Sequence, residues 1–98
     1  MRIAVPYEDG NISDHFGRTE TFKLYDTEGQ DIQDTQLVKT EGRGHFYMVQ
    51  FLTQHQVDLV LCQSMGNPSR NALKIAGITP ELGWEGNADD AVKEYLQQ

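Results

Sequence analysis

The run Val57-Asp58-Leu59-Val60-Leu61-Cys62 is close to unbroken apolar sequence, the pattern of a strand covered on both faces as in a parallel sheet. After it, Asn67 can cap a helix whose first residue is Pro68, with Ala72, Leu73, Ile75 and Ala76 inside and Gly77 as the stop. Ile78 to Leu82 then forms another strand, and Pro80 within it argues for a sheet edge, where a missing N–H costs no ladder bond. Strand, crossover helix and strand over Val57–Leu82 make a right-handed parallel unit, so the chain is read as α/β.

Working outward, Arg2 to Val5 is a short strand whose apolar run Ile3-Ala4-Val5 ends at Pro6, and it belongs at the centre of the sheet. Glu8 to Thr19 is rich in Asp, Gly, Asn and Ser and reads as a loop. Thr21 to Asp26 alternates as a second strand. Thr27-Glu28-Gly29-Gln30 turns it into a third, Asp31 to Lys39, which pairs antiparallel as an exposed hairpin with Ile32 and Val38 as its buried positions. His45 to His55 carries Phe46, Met48, Val49, Phe51 and Leu52 at spacings of three and four, a helix with a broad buried face. Asn87 caps a last helix that buries Ala88, Ala91, Val92, Tyr95 and Leu96 and turns Asp89, Asp90 and Lys93 to water. The order βββαβαβα predicts one domain over residues 1–98 with a five-stranded mixed sheet, the hairpin on one side and the crossover unit on the other. Such sheets bind ligands where connections diverge at the strands' carboxyl ends, here the loops Pro6 to Arg18, Gly42 to His45 and Cys62 to Arg70.

Lys and Arg total 8 against 15 Asp and Glu, a formal net charge of −7 that repels a phosphate backbone, so nucleic acid is excluded as the expected partner. No segment approaches the length of an apolar membrane span, and Met1 to Pro6 lacks the apolar core of a signal peptide, so a cytoplasmic protein is expected. The single cysteine, Cys62, excludes an internal disulfide and a closed four-cysteine metal site within one copy.

His15-Phe16-Gly17-Arg18 puts a soft-metal ligand, an aromatic, a flexible backbone position and a permanent cation in one loop. Cys62, at the carboxyl end of the buried strand, either finishes the core or opens onto the same edge. Met65-Gly66-Asn67 leads into a helix start whose amides attract anions, and Asn67 caps it. Gly42-Arg43-Gly44-His45 has neither Walker nor GxGxxG spacing, yet offers a cation and an imidazole that can fold over an anionic guest. Enzyme chemistry is poorly provided. Ser13, Asp14 and His15 are consecutive and cannot converge as a triad, and a two-metal nuclease needs carboxylates the first strand lacks. The candidate site is therefore His15, His45 and Cys62 toward metal, with Phe16, Gly17, Arg18, Arg43, Gly44, Met65, Gly66 and Asn67 around a guest.

Met-Arg-Ile-Ala-Val-Pro at 1–6, Ile-Ser-Asp-His-Phe-Gly-Arg at 12–18 and Phe-Lys-Leu-Tyr-Asp at 22–26 resemble the dinitrogenase iron–molybdenum cofactor biosynthesis domain of NifX-like proteins, the NafY core and the NifB C-terminus. Gly42 to His45, Val57 to Cys62, Met65-Gly66 and Ala76-Gly77-Ile78 extend the resemblance over nearly the whole chain. It implies a three-layer α/β/α sandwich of ribonuclease H-like topology without nuclease activity. It also implies transient binding of iron–sulfur or iron–molybdenum clusters for metallocluster assembly proteins. His15 and Arg18 match the family motif, while Gln63-Ser64 stands where glycines are usual. With one Cys and three His, a chain of this kind suits transient carriage, and a homodimer would bring two ligand sets around one cluster.

Overall fold

Strand β1 (Arg2–Glu8) is central to a sheet built with β2 (Asn11–Ile12), β3 (Thr21–Glu28), β4 (Asp31–Lys39), β5 (Leu59–Leu61) and β6 (Thr79–Glu81). Three helices complete the chain: α1 (His45–Gln54), α2 (Asn67–Ile75) and α3 (Ala88–Leu96). The computed structural model describes residues 1–42 and 44–98, and His45 through its backbone only. The strand order is β4-β3-β1-β5-β6, with β2 paired to β1. β1 runs antiparallel to β3 and parallel to β5, and β5 runs parallel to β6. Hairpin and crossover unit therefore flank β1 on opposite sides, and Pro80 lies on an edge strand, as the sequence predicts.

Alternation along the central strands divides the core. Ala4, Phe22, Leu24 and Val60 face Met48, Phe51 and Leu52 of α1 and Leu73 of α2. Ile3, Val5, Tyr25, Leu59 and Leu61 face Ala88, Ala91, Val92 and Leu96 of α3. All three residues of β5 are buried because both faces are covered, each burial contributing about 1.5–3 kcal/mol. Tyr25 crosses the second core to donate its hydroxyl to Asp89 Oδ1 at 2.6 Å, and Lys23 Nζ reaches the same oxygen at 2.8 Å. Asp89 is thus tied to the sheet, where the sequence places it in water.

The sheet has six strands, one more than expected, because the segment read as a loop after β1 folds back on it. Asp9 (φ 50°) and Gly10 (φ 88°) form the two-residue turn of a short hairpin pairing Tyr7 with Ile12 and Glu8 with Asn11. β1 also runs through Pro6. The Pro6 carbonyl accepts from Ser13 N–H at 2.7 Å, so the side of the strand on which proline lacks a donor faces this hairpin, and pairing to Phe22 of β3 continues. In β4, Ile32 and Val38 are half-buried but against different cores, because the register shifts between Asp26 and Thr27 and makes Gln33 an extra residue.

Helix ends bring further corrections. Asn67 is the first residue of α2 rather than its cap; Gly66 is the cap and supplies no side-chain bond, with Pro68 one position further in. At the other end, Gly77 (φ 83°) closes the helix as predicted, with Ile78 N–H on Leu73 O and Gly77 N–H on Lys74 O. Ile75 is 88% exposed and Phe46 is 77% exposed, so both lie outside the faces assigned to them. Periodicity marks such residues as apolar, but only packing decides which edge of a broad stripe is covered.

Candidate functional site

The segment after β1 ends in a single 3₁₀ turn, Phe16–Arg18. Buried Thr19 holds it: its hydroxyl donates toward Phe16 O (2.7 Å) and His15 O (3.1 Å), and its carbonyl accepts from the Thr40 hydroxyl at 2.6 Å. Phe16 packs inward, edge-on to Phe22 at 6.1 Å. The aromatic ring read as part of a binding wall is therefore the anchor of the turn, 3% exposed, and chiefly its backbone is left to the site. Anchoring Phe16 turns its neighbours outward: the His15 side chain is 62% exposed, and its Nε2 lies 3.1 Å from Asp14 Oδ1.

Opposite this turn stand the residues that follow β5. Asp14, His15, Phe16, Gly17, Arg18, Ser64, Met65, Gly66 and Ser69 line one cleft of about 290 Å³ at the carboxyl ends of β1 and β5. The third expected loop joins through Gly44, whose N–H donates to Gly17 O at 2.9 Å. Gly44 adopts φ 95°, and a Cβ on Gly42 would sit 2.7 Å from the Tyr47 ring. Both glycines are thus demanded by the turn itself. Arg43 and the side chain of His45 lie outside the described residues. Asn67 begins α2 beside the cleft, which is lined instead by Gly66 and by buried Ser69.

Cys62 does not reach the cleft. It is 1% exposed within the first core, its Sγ 3.9 Å from Ser64 O, and burial pushes its thiol up to about 12. A neutral, buried thiol is neither nucleophile nor ready ligand. Among the described residues no group of three or more His, Cys, Asp and Glu side chains gathers as a metal site.

Two further clefts share Arg18. One of about 620 Å³ is lined by Tyr7, Glu8, Asp9, His15, Glu20 and Leu37 among others, and one of about 190 Å³ by Glu20, Thr40, Glu41 and Gly42. Asp14, Ser64 and Ser69 are the cleft residues to which the sequence assigns no binding role. The adjacency of Asp14 to a candidate ligand was the available signal for it; the two serines become visible only when β5 and α2 are placed.

The sequence model of the family described as dinitrogenase iron-molybdenum cofactor matches residues 1–98. The uncharacterized protein MJ0580 of Methanocaldococcus jannaschii is 24% identical over 102 residues, covering 99% of this chain and 86% of that one. The crystal structure of PH0822 is similar with a TM-score of 0.93 at 30% identity, over 99% of this chain and 89% of that one. The Thermotoga protein TM1290, provisionally designated a NifB protein and placed in the DUF35 family, has a TM-score of 0.74 at 27% identity, over 98% and 87%.

Proposed function

The chain belongs to the dinitrogenase iron-molybdenum cofactor family, and from that membership we propose that it is a non-enzymatic carrier of an iron–sulfur or iron–molybdenum-type cluster, or a precursor of one. The cluster is cargo, passed to and from metallocluster assembly proteins in the cytoplasm. The observation that carries the reading is an exposed imidazole, His15, that lines one cleft with Arg18 at the carboxyl edge of parallel strands. Arg18 offers fixed positive charge to an anionic guest, and the first turn of α2, which has no side-chain cap, adds free amides. Buried Cys62 leaves the described part of the cleft without a thiolate, which suits brief, weakly ligated carriage over a resident redox centre. The sheet order supports the ribonuclease H-like connectivity implied by the resemblance, used here as a scaffold without nuclease chemistry.

Anaerobic incubation with ferrous iron and sulfide, or with an isolated iron–molybdenum cluster, tests the proposal through the visible absorption of protein recovered by gel filtration. His15→Ala and Arg18→Ala are each expected to lower uptake about tenfold. Equal uptake in both variants removes these residues from the function. A second reading, a metal-free module that binds a protein partner or small anion at the same edge, draws on the absence of a three-ligand cluster among the described residues. Protein purified without oxygen and free of bound iron and molybdenum would favour it.

A further inference from the structure

The sheet ends differently at its two edges. β6 is three residues long and carries Pro80, a short strand that lacks a donor at that position. β4 runs for nine residues without Pro or Gly, pairs with β3 on one side and, among the described residues, has no strand on the other. The register shows which of its backbone groups are open. Thr40 N–H donates to Glu20 O at 2.9 Å, so Val38, Gln36 and Asp34 in turn exchange ladder bonds with β3. The N–H and C=O groups of the alternate residues Thr35, Leu37 and Lys39 therefore point out from the edge. One of these donors is already held, Thr35 N–H by Asp34 Oδ1 at 2.9 Å. Leu37, at the centre of the three, is 59% exposed.

Such an edge is complementary to itself. A two-fold axis perpendicular to the sheet at Leu37 sets Leu37 against Leu37 of a second copy and Thr35 against Lys39 of that copy, each pair exchanging both ladder bonds. Opposed residues then keep the face they already occupy, and the pairing stays clear of the bulge at Gln33. Charge agrees with this register. Lys39 meets Thr35 and Asp34 meets Thr40, so no like charges stand directly opposite, and two exposed leucines cover each other.

We propose that β4 is the interface through which two copies of this chain associate, antiparallel and centred on Leu37, joining their sheets into one. A single strand pair buries less than the roughly 1,200 Å² of a stable complex, so the dimer is weak and concentration-dependent. Asp34 releases Thr35 N–H as the pair forms. The two-fold reverses the direction of β1, so the two His15 clefts open at opposite ends of the joined sheet and each copy keeps its own guest. This interface is independent of the cluster reading, and it differs from a homodimer that unites two ligand sets.

Sedimentation equilibrium provides the test, in about 0.3 M salt to screen the net charge of −7 on each copy. The unaltered chain is expected to dimerise with a dissociation constant of about 10–100 μM. Leu37→Glu and Leu37→Lys each alter an exposed side chain and put like charges face to face across the axis, so each should weaken association about tenfold or more. An equimolar mixture of the two variants should regain it, because the facing charges are then opposite. The proposal is overturned if the unaltered chain stays monomeric at about 1 mM, if either variant associates like the unaltered chain, or if the mixture associates no better than its components.

Discussion

Cys62 and His15 carry similar promise in the sequence, since each is a soft ligand at the carboxyl end of a strand. The structure separates them by burial. Cys62 completes the core beneath Ser64, while His15 is turned outward because its neighbour Phe16 fills the core beside Phe22. Cys62→Ala is therefore expected to keep cluster uptake unchanged while lowering folding stability by about 1 kcal/mol, read by urea denaturation. The thiol, pushed up to about 12 by burial, should resist iodoacetamide at pH 8 until the protein is unfolded. Prompt alkylation of the native protein would return Cys62 to the site. Gly42 and Gly44 teach a related lesson: glycines that resemble a guest-binding loop are required by the Tyr47 ring and by a positive φ.

Elements were legible wherever one local signal dominates. β5 is apolar on both faces because both are covered, β6 tolerates Pro80 at an edge, and Gly77 stops α2. Asn87 caps α3 as predicted, its Oδ1 accepting from Asp90 N–H at 2.9 Å. Asn87→Ala should cost about 1 kcal/mol, measured as a lower denaturation midpoint with an unchanged slope. A change within a few tenths of a kcal/mol would mean that contacts to Asp89, not the cap, hold this helix start. β2 went unread although Asp9-Gly10 is a strong turn signal, because Asn11-Ile12 is too short to show alternation. Ala88 N–H donates to Gly10 O and Ile12 N–H to Gly86 O, so this hairpin is completed by the chain some 75 residues later.

Across the whole molecule, one carboxylate, Asp26, ties the paired strands β1 and β3 together, and another, Asp89, fastens α3 to the sheet. Arg2 holds the Asp26 carboxyl below its ordinary range through a side-chain hydrogen bond. Lys23 does the same for Asp89, with Tyr25 adding a second donor. A depressed carboxylate pKa stabilises the fold fully above the unfolded value of about 3.9, and that stability is lost as pH falls through the lower folded value. Both groups are partly exposed, so water reduces the size of the effect. The denaturation midpoint should therefore fall between about pH 5 and pH 2, and Asp89→Asn should flatten the fall; an equally steep curve in that variant would exclude this pair as a cause. From the sequence alone came the α/β class, the central position of β1, the hairpin and the parallel unit, because strand burial, turn chemistry and helix stops are written in neighbouring residues. Only the tertiary structure decided that His15, Met65 and Ser69 line one cleft while Cys62 is buried in the core away from it. Those residues lie about fifty positions apart, and which of them meet depends on strand order and on the burial of Phe16, neither of which any local pattern records.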